Sequence, residues 1–198
     1  MNLNEALGRL RSFNVPVVRT NDAAALWGVK PALASKMLSR LSCNGHATRL
    51  QRGIWLLENV HPWTLHPYLT DPSPSYISLQ TALFHHGMIE QIPPLIHVIS
   101  TFKTRVLKTA VGVFIIHQVV PEFFCGYEPL SSSSAQVAIP EKALVDFFYL
   151  RQTKSRNFRV LPELELPKTF SIRKAKAFAA LIPYKSRRTL VENMLDEL

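Results

Sequence analysis

Glycine, cysteine and long apolar runs are all scarce in this chain. Seven glycines in 198 residues leave no Gly-x-x-x-x-Gly-Lys phosphate loop and no Gly-x-Ser-x-Gly elbow, so two common enzyme scaffolds are missing. The two cysteines, Cys43 and Cys125, stand too far apart in sequence to form a metal or redox motif. A reduced compartment with both thiols free is expected. No stretch approaches the roughly 18 consecutive apolar residues of a membrane span. Met1 to Arg11 lacks the apolar centre of a secretory signal. A cytoplasmic location with no membrane partner is therefore expected.

The seven histidines do not fall into metal-ligand spacing. His61 and His66 match no zinc helix, and the adjacent His85 and His86 point about 100° apart on a helix. No metal and no cofactor is expected. His97 and His117 fall on neighbouring expected strands, where they can pair across a sheet or simply take core or edge places.

Charge is plentiful but unevenly placed, with a formal total of +9. Residues 1–60 hold eight Lys/Arg against three Asp/Glu, residues 61–150 four against six, and residues 151–198 eleven against five. Two basic ends flank a mildly acidic middle. A basic N-terminal segment suits a phosphate-bearing partner. The basic C-terminal end fits an ordinary solvated helical surface.

The most informative stretch is Thr20 to Leu57. Thr20-Asn21-Asp22 can cap a short helix, and Gly28 can end it in the left-handed conformation. Pro31 suits the first position of the next helix. There Ala34, Met37, Leu38 and Leu41 follow the i, i+3, i+4, i+7 spacing of a buried stripe. The opposite face carries Ala32, Lys36, Ser39 and Cys43, flanked by Ser35 and Arg40. Small residues there would let a helix enter a groove, and basic ones would reach phosphates or guanine edges. Two short strands follow, Ala47–Leu50 and Ile54–Leu57, joined by Gln51-Arg52-Gly53. This is the order of a winged helix-turn-helix, with a groove-entering helix expected over residues 31–43 and a basic wing bearing Arg49 and Arg52. The candidate DNA-binding residues are Ser35, Lys36, Ser39, Arg40, Arg49 and Arg52, and the implied partner is double-stranded DNA.

Three segments are expected: a winged helix-turn-helix domain over 1–60, a proline-rich linker or irregular layer over 61–74, and a mixed α/β domain over 75–198. The fold class is thus α+β. In the last segment Ser78 can cap a helix through His86, with Gly87 ending it. Strands are expected at 96–100, 106–110, 113–119 and 136–139. Pro140-Glu141 opens a helix through Arg151 with an apolar face of Ala143, Leu144, Phe147 and Phe148. Ser171 can cap a further helix. Pro183 starts a last one with Val191, Met194, Leu195 and Leu198 on one stripe. Ser131–Ser134 reads as a loop tip.

Several motifs resemble the AbiEi-type antitoxins, regulators of abortive infection and type IV toxin–antitoxin systems. Gln51-Arg52-Gly53-Ile54-Trp55 closes the N-terminal part. Tyr76-Ile77-Ser78-Leu79-Gln80-Thr81-Ala82-Leu83, His86-Gly87-Met88-Ile89 and Ile139-Pro140-Glu141-Lys142-Ala143-Leu144-Val145-Asp146 follow in order. The resemblance covers most of residues 1–151. It implies a repressor that binds its own promoter through the N-terminal domain, and a C-terminal domain that neutralises a nucleotidyltransferase-like toxin, directly or indirectly. The alternatives are a solitary winged-helix regulator with a protein-interaction domain, or an enzyme of phosphate chemistry. For an enzyme, Glu141, Lys142 and Asp146 are the candidate catalytic residues, Lys142 and Asp146 sharing one helix face. Helix-start and ion-pair roles account for the same residues, and the absence of other catalytic motifs weighs against the enzyme.

Overall fold

Local chemistry sets the helix ends of the N-terminal part. The computed structural model describes residues 2–130, 134–151 and 163–198. They form a mixed α+β protein with eight α-helices and two sheets among the described residues. Contacts divide it into two units, residues 1–62 with 108–112, and residues 63–107 with 113–198.

In the first unit, Asn2 accepts a hydrogen bond from the Glu5 backbone N–H at 2.8 Å and so caps α1 (Leu3–Arg11). Strand β1 (Val17–Arg19) leads into α2 (Thr20–Trp27), which Gly28 ends at φ +66°. Helix α3 (Pro31–Cys43) carries proline at its first turn, as its sequence suggests. Ala34, Met37, Leu38 and Leu41 are its buried residues, the stripe expected from spacing. Strands β2 (Thr48–Gln51) and β3 (Ile54–Leu56) make the hairpin, and the sheet order is β1-β3-β2, antiparallel throughout. The three helices bury Ala6, Leu10, Trp27, Leu38 and Trp55 in one cluster. Both indoles are satisfied: Trp27 Nε1 donates to the Ala6 carbonyl at 3.2 Å and Trp55 Nε1 to Thr20 Oγ1 at 3.0 Å. The expected cap at Thr20-Asn21-Asp22 is therefore corrected. Arg19 stands at the cap position without a side-chain bond, because the Thr20 hydroxyl is engaged by Trp55 instead.

The second unit is built on a mixed six-stranded sheet in the order β6-β7-β5-β4-β9-β8. Its strands are β4 (Ser75–Ile77), β5 (Ile96–Ser100), β6 (Arg105–Thr109), β7 (Gly112–Gln118), β8 (Tyr127–Pro129) and β9 (Gln136–Ala138). Strand β4 runs antiparallel to β5 and parallel to β9, so the sheet changes sense on either side of it. Helices α5 (Leu79–His85), α6 (Pro140–Arg151), α7 (Ile172–Ala179) and α8 (Lys185–Asp196) complete the unit. Ser171 caps α7 by accepting from the Lys174 N–H at 3.3 Å, as expected. Val191 and Leu195 of α8 are buried, while Leu198 lies past the helix end and is exposed.

Two expectations change here and one is narrowed. Within 61–74, expected as a linker or an irregular layer, a 3-10 turn at Pro62–Leu65 leads into α4 (His66–Thr70), with Leu65, His66, Leu69 and Thr70 buried. Pro62 and Pro67, two of the four prolines that read as linker punctuation, open these helical turns. Ser78 precedes α5 but makes no capping bond. Finally, α6 has no exposed polar face, since every residue from Glu141 to Leu150 is buried. It packs against α5, α7, α8 and β9, which leaves no side open to water. The Ser131–Ser133 part of the expected loop tip lies outside the described residues. No helix among the described residues is long and apolar enough to cross a membrane.

Candidate nucleic-acid interface and a buried polar centre

The six candidate DNA-binding residues fall on two elements of the first unit. Lys36, Ser39 and Arg40 are exposed on α3 and Ser35 is half-buried beside them. Their exposure follows from the opposite stripe, which the core holds inward. The Ser39 hydroxyl donates to the Ser35 carbonyl at 2.9 Å, so its lone pairs, not its proton, face outward. Arg49 is exposed on β2, and Arg52 is exposed in the β2–β3 turn. The Arg49 guanidinium lies 5.7 Å from the centroid of the Trp55 ring, the outer limit of a cation–π contact. That contact holds an otherwise mobile side chain near the hairpin surface. None of the four basic side chains is paired with a carboxylate among the described residues. The arrangement offers exposed, unneutralised charge on a helix face and a hairpin, which is what a polyanion requires.

Glu141, Lys142 and Asp146 are placed quite differently. Lys142 and Asp146 have no exposed side-chain surface and form an ion pair through Nζ and Oδ1. Asp146 Oδ2 also accepts from Ser78 Oγ at 2.7 Å and from Tyr76 OH at 3.1 Å. The Lys142 ammonium lies 3.5 Å from the Phe123 ring centroid, a cation–π contact made by a fully buried side chain. Tyr76 stacks on Tyr127 with centroids 4.7 Å apart. Burial raises Asp146 above the usual carboxylate range, against the pull of the Lys142 ammonium and its hydrogen-bond donors. Burial, and then the Asp146 charge, hold the Tyr76 phenol well above its ordinary value. Glu141 faces another way: its Oε1 accepts from the Ser171 N–H at 3.2 Å and its Oε2 lies 3.8 Å from Lys174 Nζ. It ties α6 to the start of α7.

These contacts give the three residues structural tasks. A substrate has no surface of Lys142 or Asp146 to meet. The sequence reading missed Tyr76 and Ser78 as partners of Asp146. The one available signal was that both lie in the Tyr76–Leu83 motif and Asp146 in the Ile139–Asp146 motif. Leu79 follows Ser78 at φ +53°, an uncommon conformation for a branched side chain. The turn there directs Ser78 toward α6 and not toward the N–H groups of α5.

No group of three His, Cys, Asp or Glu side chains among the described residues is placed to hold an ion. His97 Nδ1 and His117 Nε2 are 3.1 Å apart, and both rings are buried, so pairing and core placement occur together. His85 and His86 meet edge-on at 5.0 Å, and His86 Nε2 contacts the Ala138 carbonyl at 2.7 Å. Both cysteines are free.

No protein-family model matches the chain, and no curated protein matches it.

Proposed function

We propose that this chain is a DNA-binding transcriptional regulator that represses its own operon, with the first unit acting as a winged helix-turn-helix. The observation that carries the reading is the division of α3 into two faces. Ala34, Met37, Leu38 and Leu41 are buried, and Lys36, Ser39 and Arg40 are exposed. The exposed Arg49 and Arg52 on the neighbouring hairpin supply the basic wing that such a module sets against the DNA backbone. Gel-shift titration of the chain on a duplex from its own promoter and on a scrambled duplex tests this. Tighter binding to the promoter duplex is expected. Equal and weak binding to both, abolished by moderate salt, would overturn it.

The second part of the proposal is that the second unit neutralises a nucleotidyltransferase-like toxin. Its support is the motif resemblance over Tyr76–Ile89 and Ile139–Asp146. In this chain those motifs meet in the buried Tyr76–Ser78–Lys142–Asp146 centre. Their residues hold α6 to β4, so neutralisation must use other, exposed residues. Co-expression of the toxin with the full chain carrying Lys36→Ala, Arg40→Ala, Arg49→Ala and Arg52→Ala tests the separation. Toxin rescue should persist while promoter binding is lost.

A further inference from the structure

A cleft of about 640 Å³ opens in the second unit, inside the range of about 300–1,000 Å³ typical of small-molecule sites. Val119, Val120 and Pro121 form one side, where β7 ends. Tyr149 of α6 faces them, together with Tyr184 and Arg187 at the start of α8. No carboxylate among the described residues lines it.

The polar groups in the cleft are unequally used. The Arg187 guanidinium lies 5.4 Å from the Tyr149 ring centroid and 5.8 Å from that of Tyr184. Two aromatic rings therefore restrict it, and it makes no ion pair among the described residues. Its neighbour Arg188 shows the contrast, donating through Nε and Nη2 to the Ile182 carbonyl at 2.9 and 2.7 Å. Arg188 is thus engaged in closing the turn before α8, and Arg187 is left to the cleft. Tyr149 is buried, while Tyr184 is 59% exposed and presents aromatic surface to the opening. Thr101, Gln118 and Ser186 add neutral hydrogen-bonding groups.

A restrained guanidinium without a counter-ion selects an anion, and its planar fork suits a phosphate. An exposed tyrosine at the same opening suits a flat aromatic ring. We propose that this cleft binds a 5′-nucleotide. Arg187 holds the phosphate, Tyr184 stacks on the base, and Gln118 and Thr101 meet the sugar or base edge. The same chemistry is offered by a free nucleotide and by the 5′-phosphorylated end of a single strand.

Calorimetric titration of the full chain separates these cases. The probes are the four nucleoside 5′-monophosphates, their four nucleosides, ribose 5-phosphate and a 5′-phosphorylated trinucleotide. At least one monophosphate should bind about tenfold or more tightly than both its nucleoside and ribose 5-phosphate. Arg187→Gln should reduce that nucleotide to the affinity of its nucleoside. Tyr184→Ala, at a more exposed position, should weaken nucleotide and nucleoside together. Both variants are checked by thermal melting. A trinucleotide that binds about tenfold more tightly than the monophosphate assigns the site to a strand end, and the reverse order assigns it to a free nucleotide. No saturable binding of any probe up to about 10 mM would overturn the proposal. So would folded Arg187→Gln and Tyr184→Ala variants that bind nucleotide as the wild type does.

Discussion

Lys142 gives up all hydration of its ammonium, and what replaces it is a short inventory: Asp146, the Phe123 ring and, further off, the Tyr76 ring. A buried pair of this kind stabilises little against an apolar pair of similar volume, yet removing one partner strands the other charge. Lys142→Ala should therefore cost about 3–5 kcal/mol in urea unfolding. Combining it with Asp146→Ala should cost clearly less than the two single losses added, because neither charge is then stranded. Strict additivity would show that the pair is not coupled. Gly126 belongs to the same centre. It sits at φ +73°, and a Cβ there would lie 2.9 Å from the Lys142 Cγ and 2.8 Å from the Phe178 ring. Gly126→Ala thus combines a left-handed penalty with overpacking against two side chains. A loss of roughly 2–4 kcal/mol is expected in the same unfolding assay, and an unchanged midpoint would show that Phe178 moves aside freely.

Helix α3 and helix α6 show what an element reveals in sequence. In α3 the buried Ala34, Met37, Leu38 and Leu41 keep strict helical spacing, Leu33 alone of the large apolar residues is exposed, and the polar ones are small or basic, so period and exposure largely agree. The buried stripe and the outer residues Lys36, Ser39 and Arg40 were all legible. In α6 they disagree. Glu141, Lys142 and Asp146 occupy positions that look solvated, yet all three are buried. Their partners, Ser78, Tyr76 and Ser171, lie 30 or more residues away, and no local pattern reports a contact of that range. Thr20 and Ser78 fail in the same way, since each is a good cap residue whose hydroxyl a distant group claims. Over 62–74 the sequence suggests only a linker or an irregular layer, because the turns that Pro62 and Pro67 open are too short to show a period. The cleft was not legible at all, being assembled from β7, α6 and α8. For α3 and its hairpin a graded outcome is expected. Losing a phosphate contact at Arg49 or Arg52 should weaken binding to all duplexes alike and lower the salt slope by about one. Losing a base contact at Lys36 or Arg40 should cost roughly 1–3 kcal/mol on the promoter and less on scrambled DNA. Identical losses on both duplexes for all four variants would reduce the interface to a charge patch.

Across the whole molecule, buried histidines fall in the second unit alone. The first unit's His46 and His61 are exposed, whereas the second buries His66, His97 and His117, leaves His86 half-buried and exposes His85. His66 is fixed on both sides of its ring: Nε2 accepts from the Gln136 N–H at 3.2 Å, so Nδ1 carries the proton and donates to Ser75 Oγ at 2.7 Å. A second proton has no place without breaking the bond to Gln136. Burial accordingly lowers His66 to about 4, and lowers His97 to about 3 and His117 to about 4. In the His97–His117 contact one ring nitrogen must stay an acceptor, so the pair resists double protonation as well. An unfolded histidine titrates near 6.5. Between pH 6.5 and about 4 the unfolded chain therefore binds more protons than the folded one, and stability falls as pH falls. Each buried histidine contributes a slope of about 1.4 kcal/mol per pH unit inside that window. Asp146, raised by burial, acts in the opposite sense, so the decisive quantity is a difference between variants. His66→Gln should lower stability at every pH through its lost hydrogen bonds, yet flatten the dependence between pH 6.5 and 4.5 by one histidine's share. Urea unfolding at pH 7, 6 and 5, followed by hydrogen exchange, reads both the slope and its location. Amides of 63–107 and 113–130 should lose protection before those of 3–57. Parallel slopes for the wild type and His66→Gln, or first loss in the N-terminal unit, would sink this account of acid sensitivity.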